Sequence, residues 1–348
     1  MDYITAKDLA KAWNITDRMI NNYCASGRIA GAFKQGNLWM IPADTKKPID
    51  TRVKNKEELS DLKHEVKLGD CKQLITTIAD NSIDLIVTSP PYWAKRIYNG
   101  SGELGSEETP ELYVENLVQY FKIFKSKLKK SGNLFVNIGD TFFGSGAGAW
   151  SKYLDEEGNV TIYQKERKEK YFTTKPLQPK IKQNGKLYQN KQLLLIPARF
   201  AIAMQEDGWI LRDDIIWHKP NRIPASVRDR FNNTYEHVYH FVKNKSYYFD
   251  LDSIKIIGAN GKYKNPGDVW SINTQPLDGN HTASFPEKLV EQIVLAGSPK
   301  EGLVYDPFMG SGTTWIVCER LKRNFIGHEI NKEFVQYAYE RFIRTFKK

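Results

Sequence analysis

Two short stretches of this chain carry side chains and backbone suited to group-transfer chemistry. The first is Ser89-Pro90-Pro91-Tyr92, followed by Trp93, at the end of the run Ile83-Asp84-Leu85-Ile86-Val87-Thr88. Consecutive prolines fix the backbone and remove two N–H donors, so nearby carbonyl oxygens are left to accept from another group. The exocyclic amine of a nucleobase would be such a donor, and the Tyr92 ring could stack on its base. The second stretch is Asp306-Pro307-Phe308-Met309-Gly310-Ser311-Gly312-Thr313-Thr314, entered from Val304-Tyr305. Its glycines let the backbone approach a ligand closely, and Glu329, about twenty residues on, is an acid that could meet a ribose diol. No lysine follows the second glycine, which removes the nucleotide triphosphatase reading, and the spacing is not that of a dinucleotide fingerprint.

Both stretches need a scaffold that brings them together. An aliphatic run stopped by two prolines reads as a buried parallel strand whose C-terminal end opens into a rigid loop, where open α/β sheets place their chemistry. Val304 to Asp306 reads as a second such strand, turning through glycine into a helix from Trp315 to about Arg323. Asn133 to Asp140 has the make-up of a third buried strand.

Thr88-Ser89-Pro90-Pro91-Tyr92-Trp93 followed far downstream by the Asp306 to Thr314 motif resembles the S-adenosylmethionine-dependent amino-methyltransferases of DNA. The motif order resembles their permuted beta class. Serine at the head of the tetrapeptide resembles the cytosine-N4 enzymes, whereas adenine enzymes usually carry Asp or Asn there. The match runs from about His64 to Lys348. It implies an α/β, Rossmann-like methyltransferase fold, a mostly parallel sheet with an antiparallel hairpin. It implies S-adenosylmethionine as cofactor, held by Asp70, Thr88, His281, Phe285, Pro286, Asp306, Phe308, Gly310, Gly312, Thr313 and Glu329. Ser89, Pro90, Pro91 and Tyr92 become the catalytic tetrapeptide, and Trp93, Trp217 and Lys219 line the target-base pocket. The stretches 210–220 and 235–242 resemble the hairpin region that walls that pocket.

The implied reaction moves a methyl group to the N4 amine of cytosine in double-stranded DNA, after the base leaves the stack. No Pro-Cys nucleophile of the cytosine-C5 type is present, so attack by the amine is direct. Adenine-N6 methylation stays open, because pocket shape decides which base is held. A reading of another class, a non-catalytic DNA-binding regulator on this scaffold, has intact motifs against it. A cognate restriction endonuclease would act on the same site without a stable complex; monomer and dimer both stay open.

Upstream, residues 1–45 form a separate pattern, followed by a polar linker at 46–63 and the catalytic domain at 64–348. Thr5 and Thr16 can cap helices over 6–13 and 17 to about 26, Gly27 stops the second, and 29–33 with 38–42 read as a hairpin. This order resembles an excisionase-like winged helix-turn-helix, with Arg18, Asn21 and Asn22 offered to a DNA groove.

Lys and Arg number 51 against 41 Asp and Glu, a net charge of +10, which favours a polyanionic partner. Between 144 and 192 ten basic residues, among them Lys165, Arg167 and Lys168, face five acids and are interleaved with aromatics. Such an insertion suits a DNA strand, with charge for phosphate and rings for stacking. Three scattered cysteines show no metal-ligand spacing and read as reduced thiols. No signal peptide or membrane-length apolar run is present, so a cytoplasmic protein, nucleoid-associated or phage-encoded, is expected.

Overall fold

The computed structural model describes residues 3–13, 16–27, 29–36, 38–45, 62–93, 104–107, 109–143, 152–154, 160–162, 191–222, 227–275 and 285–346. The chain divides into two compact units, Met1–Glu58 and Leu59–Lys348. In the first, β1 (Tyr3–Thr5), α1 (Ala6–Trp13), α2 (Asp17–Ala25), β2 (Phe33–Gln35) and β3 (Leu38–Pro42) follow one another. The three strands form an antiparallel sheet in the order β1-β3-β2. Thr16 caps α2 by accepting from the Met19 N–H, and Ile20, Tyr23 and Cys24 turn inward onto Leu9, Ala10, Ile29 and Ile41. Arg18, Asn21 and Asn22 are left exposed on α2. Two details differ from expectation. Ile29 to Ala32 is a turn rather than strand, because Gly31 takes a positive φ of 76° and packs against Pro42. The strand β1, too short to carry a pattern of its own, pairs with β3.

The larger unit is built on one sheet of eight strands. In chain order its elements are β4 (His64–Leu68), α3 (Cys71–Leu74), β5 (Ile83–Thr88), α4 (Pro110–Lys127), β6 (Leu128–Ile138), β7 (Lys152–Leu154) and β8 (Val160–Ile162). There follow α5 (Ile196–Glu206), β9 (Ile210–His218), β10 (Tyr235–Val242), β11 (Ile256–Ile257), β12 (Tyr263–Lys264) and β13 (Val269–Ser271). The chain closes with α6 (Glu287–Gly297), β14 (Leu303–Asp306), α7 (Thr313–Leu321), β15 (Asn324–Glu329) and α8 (Lys332–Phe346). The sheet order is β13-β9-β10-β6-β5-β14-β15-β4, and β10 alone runs against both neighbours.

The sheet is covered on both faces, which explains why its central strands are apolar throughout rather than alternating. Along β5, Ile83 and Ile86 enter one core with Tyr113, Leu117 and Phe121 of α4 and Phe200 of α5. Leu85 and Val87 enter the other, with Val290 and Ile293 of α6 and Ile316 of α7. Thr109 starts α4 by capping the Leu112 N–H, with Pro110 in the first turn where no donor is needed.

One charge interrupts this pattern. Asp84 is buried, accepts from the Lys129 ammonium at 2.8 Å through each oxygen, and takes the Leu303 N–H at 2.9 Å. It thereby ties β5 to the starts of β6 and β14. Replacing Asp84 by Ala strands a backbone donor and a partly buried ammonium, and should cost about 2–3 kcal/mol in urea unfolding, more than Asp84→Asn.

Candidate active site

The glycine-rich loop and the proline loop meet at Asp306, the last residue of β14. Its carboxylate is buried; one oxygen accepts from the Thr88 hydroxyl at 2.6 Å and the Phe308 N–H at 3.2 Å, the other from the Thr314 hydroxyl at 2.6 Å. Burial pushes its pKa up to about 6. Thr88 and Asp306, expected by resemblance to touch the cofactor, are thus bonded to each other and both fully inside. They organise the loops that carry the site.

From Asp306 the chain turns through Gly310 (φ 52°) and Gly312 (φ 76°) into α7. A Cβ on Gly312 would lie 2.9 Å from Ala338, whereas one on Gly310 would meet nothing closer than 3.9 Å. Gly312 therefore serves packing, and Gly310 borders open space. Glu329, at the end of β15, accepts the Gly310 N–H at 2.8 Å and the Asn331 N–H at 2.9 Å; burial raises its pKa. Its carboxylate also takes the Ile330 N–H, and of the about four acceptor positions of an ionised carboxylate one stays available to a diol. Beside it Gly69 donates to the Glu329 carbonyl at 2.8 Å, and Asp70 caps α3 through the Lys72 N–H. Phe308 is half-buried, 5.8 Å from the Tyr120 ring. Thr313 is buried and accepts from Arg341, so it holds α8 rather than facing the crevice. Phe285 and Pro286 lead into α6; His281 lies outside the described residues, as do Lys165, Arg167 and Lys168. The acid, the open glycine and the neighbouring loop after β4 fit the nucleoside end of S-adenosylmethionine.

After Thr88 the backbone opens into the tetrapeptide. The Pro91 carbonyl accepts from the buried Tyr113 hydroxyl at 2.9 Å, so of the two proline carbonyls it is Pro90's that no described residue bonds. The Tyr92 hydroxyl donates to Glu236 at 2.7 Å and lies 3.3 Å from Asn137 and 3.5 Å from the Ser89 hydroxyl. Glu236 also accepts from the Asn137 amide at 3.2 Å and pairs with the Lys219 ammonium at 2.5 Å. Burial with the adjacent carboxylate holds the Tyr92 phenol well above its usual pKa, and burial lowers that of Lys219 against the pull of Glu236. The ring fits because residue 139 is glycine: a Cβ there would lie 2.8 Å from Tyr92 Cε2.

Two expected pocket residues are placed differently. Trp93 is buried and donates to the Glu107 carbonyl at 3.0 Å; Trp217 is buried and donates to the Ile272 carbonyl at 2.9 Å. Neither offers an open face to a base. Trp217 instead backs Lys219, whose ammonium sits 4.0 Å from its ring centroid. Glu236, Asn137, Gly139 and Tyr113 were not singled out from sequence. Their signal was there in part: Asn137 is a polar side chain in the apolar end of β6, and Glu236 is the acid of β10.

The fold matches that of the PvuII DNA methyltransferase (cytosine-N4-specific) with a TM-score of 0.58 at 21% identity, over 82% of this chain and 92% of that one. It also matches a Thermus thermophilus protein named "Putative DNA Modification Methylase", complexed with S-adenosyl-L-methionine, with a TM-score of 0.51 at 21% identity, over 81% and 96%. Strand order, glycine turn and the acid on the next strand define a Rossmann-like α/β fold. A family model described as DNA methylase, of the N6/N4 methyltransferase type, matches residues 83–340. The chain is 39% identical over 283 residues to the type II methyltransferase M.SmaI of Serratia marcescens, covering 80% of this chain and 91% of that one. It is 35% identical over 273 residues to M.Cfr9I of Citrobacter freundii, covering 78% and 85%. The chain belongs to the N6/N4 DNA methylase family.

The Asp306 carboxyl has a pH signature. Its folded pKa is raised, so its stabilising contribution is complete below the unfolded value near 3.8 and is lost as pH rises through about 6. Asp306→Asn cannot ionise and keeps the neutral form throughout. In urea titrations from about pH 4 to pH 7.5, wild type should lose about 2–3 kcal/mol relative to Asp306→Asn. A constant difference would remove Asp306 as the titrating group.

Proposed function

We propose that this chain is a restriction-modification DNA methyltransferase that methylates the N4 amine of cytosine in duplex DNA. The observation that carries the reading is the tetrapeptide itself. Ser89 and the Pro90 carbonyl, which no described residue bonds, stand beside a Tyr92 whose hydroxyl is anchored by Glu236 and Asn137. Relatives named as type II methyltransferases and a structural neighbour named cytosine-N4-specific support it.

An aromatic amine is a poor nucleophile because its lone pair is shared with the ring, so positioning must supply much of the rate. The target base leaves the stack to reach the loop, since chemistry on the amine is blocked inside the duplex. The Ser89 hydroxyl and Pro90 carbonyl accept its two amino hydrogens, which turns the nitrogen lone pair toward the glycine loop. The Tyr92 ring, fixed at its hydroxyl, stacks on the base and offsets part of the lost duplex stacking. Lys219 faces the same cluster and can donate to a ring carbonyl, an acceptor that cytosine has and adenine lacks. When bound, S-adenosylmethionine supplies an electrophilic methyl; Glu329 and the Gly310 backbone hold its nucleoside end. Nothing in the tetrapeptide acts as a covalent nucleophile.

Two further surfaces belong to the same reading. The exposed face of α2, with Arg18, Asn21 and Asn22, is assigned to DNA as part of a winged helix-turn-helix. The basic insertion at 144–192 is assigned a share in sequence readout, and an endonuclease of the same site is the expected partner system.

Genomic DNA incubated with the protein and S-adenosylmethionine should gain N4-methylcytosine by mass spectrometry, and single-molecule sequencing should map one recognition site; N6-methyladenine instead would overturn the base assignment. Ser89→Ala, Pro90→Ala and Tyr92→Ala should cut turnover by roughly a hundred-fold or more with cofactor affinity retained. Gly310→Trp should abolish cofactor binding in calorimetry. Equal loss of cofactor affinity in both sets would refute the division of roles.

A further inference from the structure

The connection between β9 and β10 begins and ends at the target pocket, with Lys219 on one side and Glu236 on the other. The Lys219 N–H donates to the Thr234 carbonyl at 2.7 Å and closes the hairpin. Three residues before Thr234, within about 11 Å of it by chain length, the Phe231 ring is 97% exposed, more than any other large apolar side chain among the described residues. A single exposed aromatic is ordinary on a protein surface. What sets Phe231 apart is that the backbone around it is held while the ring is not. The Arg230 guanidinium lies 3.9 Å from the Phe142 ring centroid and donates to the Phe231 carbonyl at 3.1 Å. Arg222 donates to the Asn233 carbonyl, and Lys191 pairs with Asp229 at 2.5 Å. That pair neutralises the acid of the segment, leaving Arg222 and Arg228 exposed on the same connection. Phe142, beneath Arg230, follows β6, the strand that carries Asn137.

We propose that Phe231 is the side chain that enters the duplex as the target base leaves it, filling the vacated stack while Arg222 and Arg228 meet the flanking phosphates. The proposal rests on the reading that this chain methylates an extruded base. Extrusion sacrifices stacking and pairing, and an apolar ring inserted between base steps replaces part of the stacking. A ring that contributes no packing to the fold, on a braced and cationic turn next to the pocket, meets that requirement.

The test uses the full chain and duplex oligonucleotides carrying the mapped site, either fully paired or with an abasic position opposite the target base. Phe231→Ala should slow single-turnover methyl transfer into the paired duplex by roughly ten-fold or more, the loss expected for one stacking contact. Phe231→Trp should keep the rate. On the abasic duplex, where the base is already unpaired, Phe231→Ala should approach wild type, with cofactor affinity unchanged. Equal rates of variant and wild type on the paired duplex would overturn the proposal, as would an equal loss on both duplexes. Self-association without DNA that disappears in Phe231→Ala, seen by sedimentation, would assign the ring to a protein interface and also overturn it. A wild type inert on both duplexes would remove the methyltransferase reading, and the proposal with it.

Discussion

The bond from the Thr88 hydroxyl to the Asp306 carboxylate joins residues 218 positions apart and makes one site out of two motifs. Each partner ends a strand, and each strand opens into the loop that carries one of the two motifs. With Thr314 and the Phe308 N–H on two more of its acceptor positions, Asp306 fixes the start of the glycine turn and the start of α7 together. Such a carboxyl is costly to bury ionised, and the raised pKa records that cost. Its hydrogen bonds are the compensation. Serine in place of either threonine would keep the bonds but lose methyl packing in a region with no exposed surface.

A second buried charge system holds the other side. Lys219 and Glu236 face each other across the ends of β9 and β10, and Glu236 passes the constraint on to Tyr92 and Asn137. Breaking one member of such a cluster leaves the others unpaired in a low-dielectric setting. The cluster therefore converts the register of the β9–β10 hairpin into the position of a ring on β5's loop. Gly139 is the steric counterpart, since any side chain there would displace Tyr92.

The core of this arrangement was legible in sequence because it rests on backbone chemistry. Consecutive prolines, a glycine turn and an acid at a strand end are properties of residue type and spacing, and Ser89 to Tyr92, Gly310 and Glu329 stand at the C-terminal ends of the neighbouring strands β5, β14 and β15. What was misread depends on direction. Thr88 and Thr313 sit in the right motifs but point inward, and Trp93 and Trp217 lie beside the pocket yet spend their N–H groups on backbone carbonyls. Spacing along a chain does not report which way a side chain faces when the strand is covered on both sides. Glu236 and Tyr113 act across 144 and 22 positions, on Tyr92 and Pro91, and such contacts exist only once the sheet has formed.

Sheet topology explains why the order of the motifs along the chain does not matter to the site. From β5 the chain passes through α4 to β6, toward the β10 side of the sheet; from β14 it passes through α7 to β15, toward the β4 side. The two connections depart in opposite directions, so a crevice opens between the C-terminal ends of β5 and β14, as at any such reversal in an open α/β sheet. Thr88 and Asp306 lie at the floor of that crevice. Cutting the chain elsewhere and rejoining its ends alters which motif comes first but not which strands are neighbours. The site is thus a property of the pair β5 and β14, and the hydrogen bond between their last residues is what keeps the proline loop and the glycine turn in fixed register.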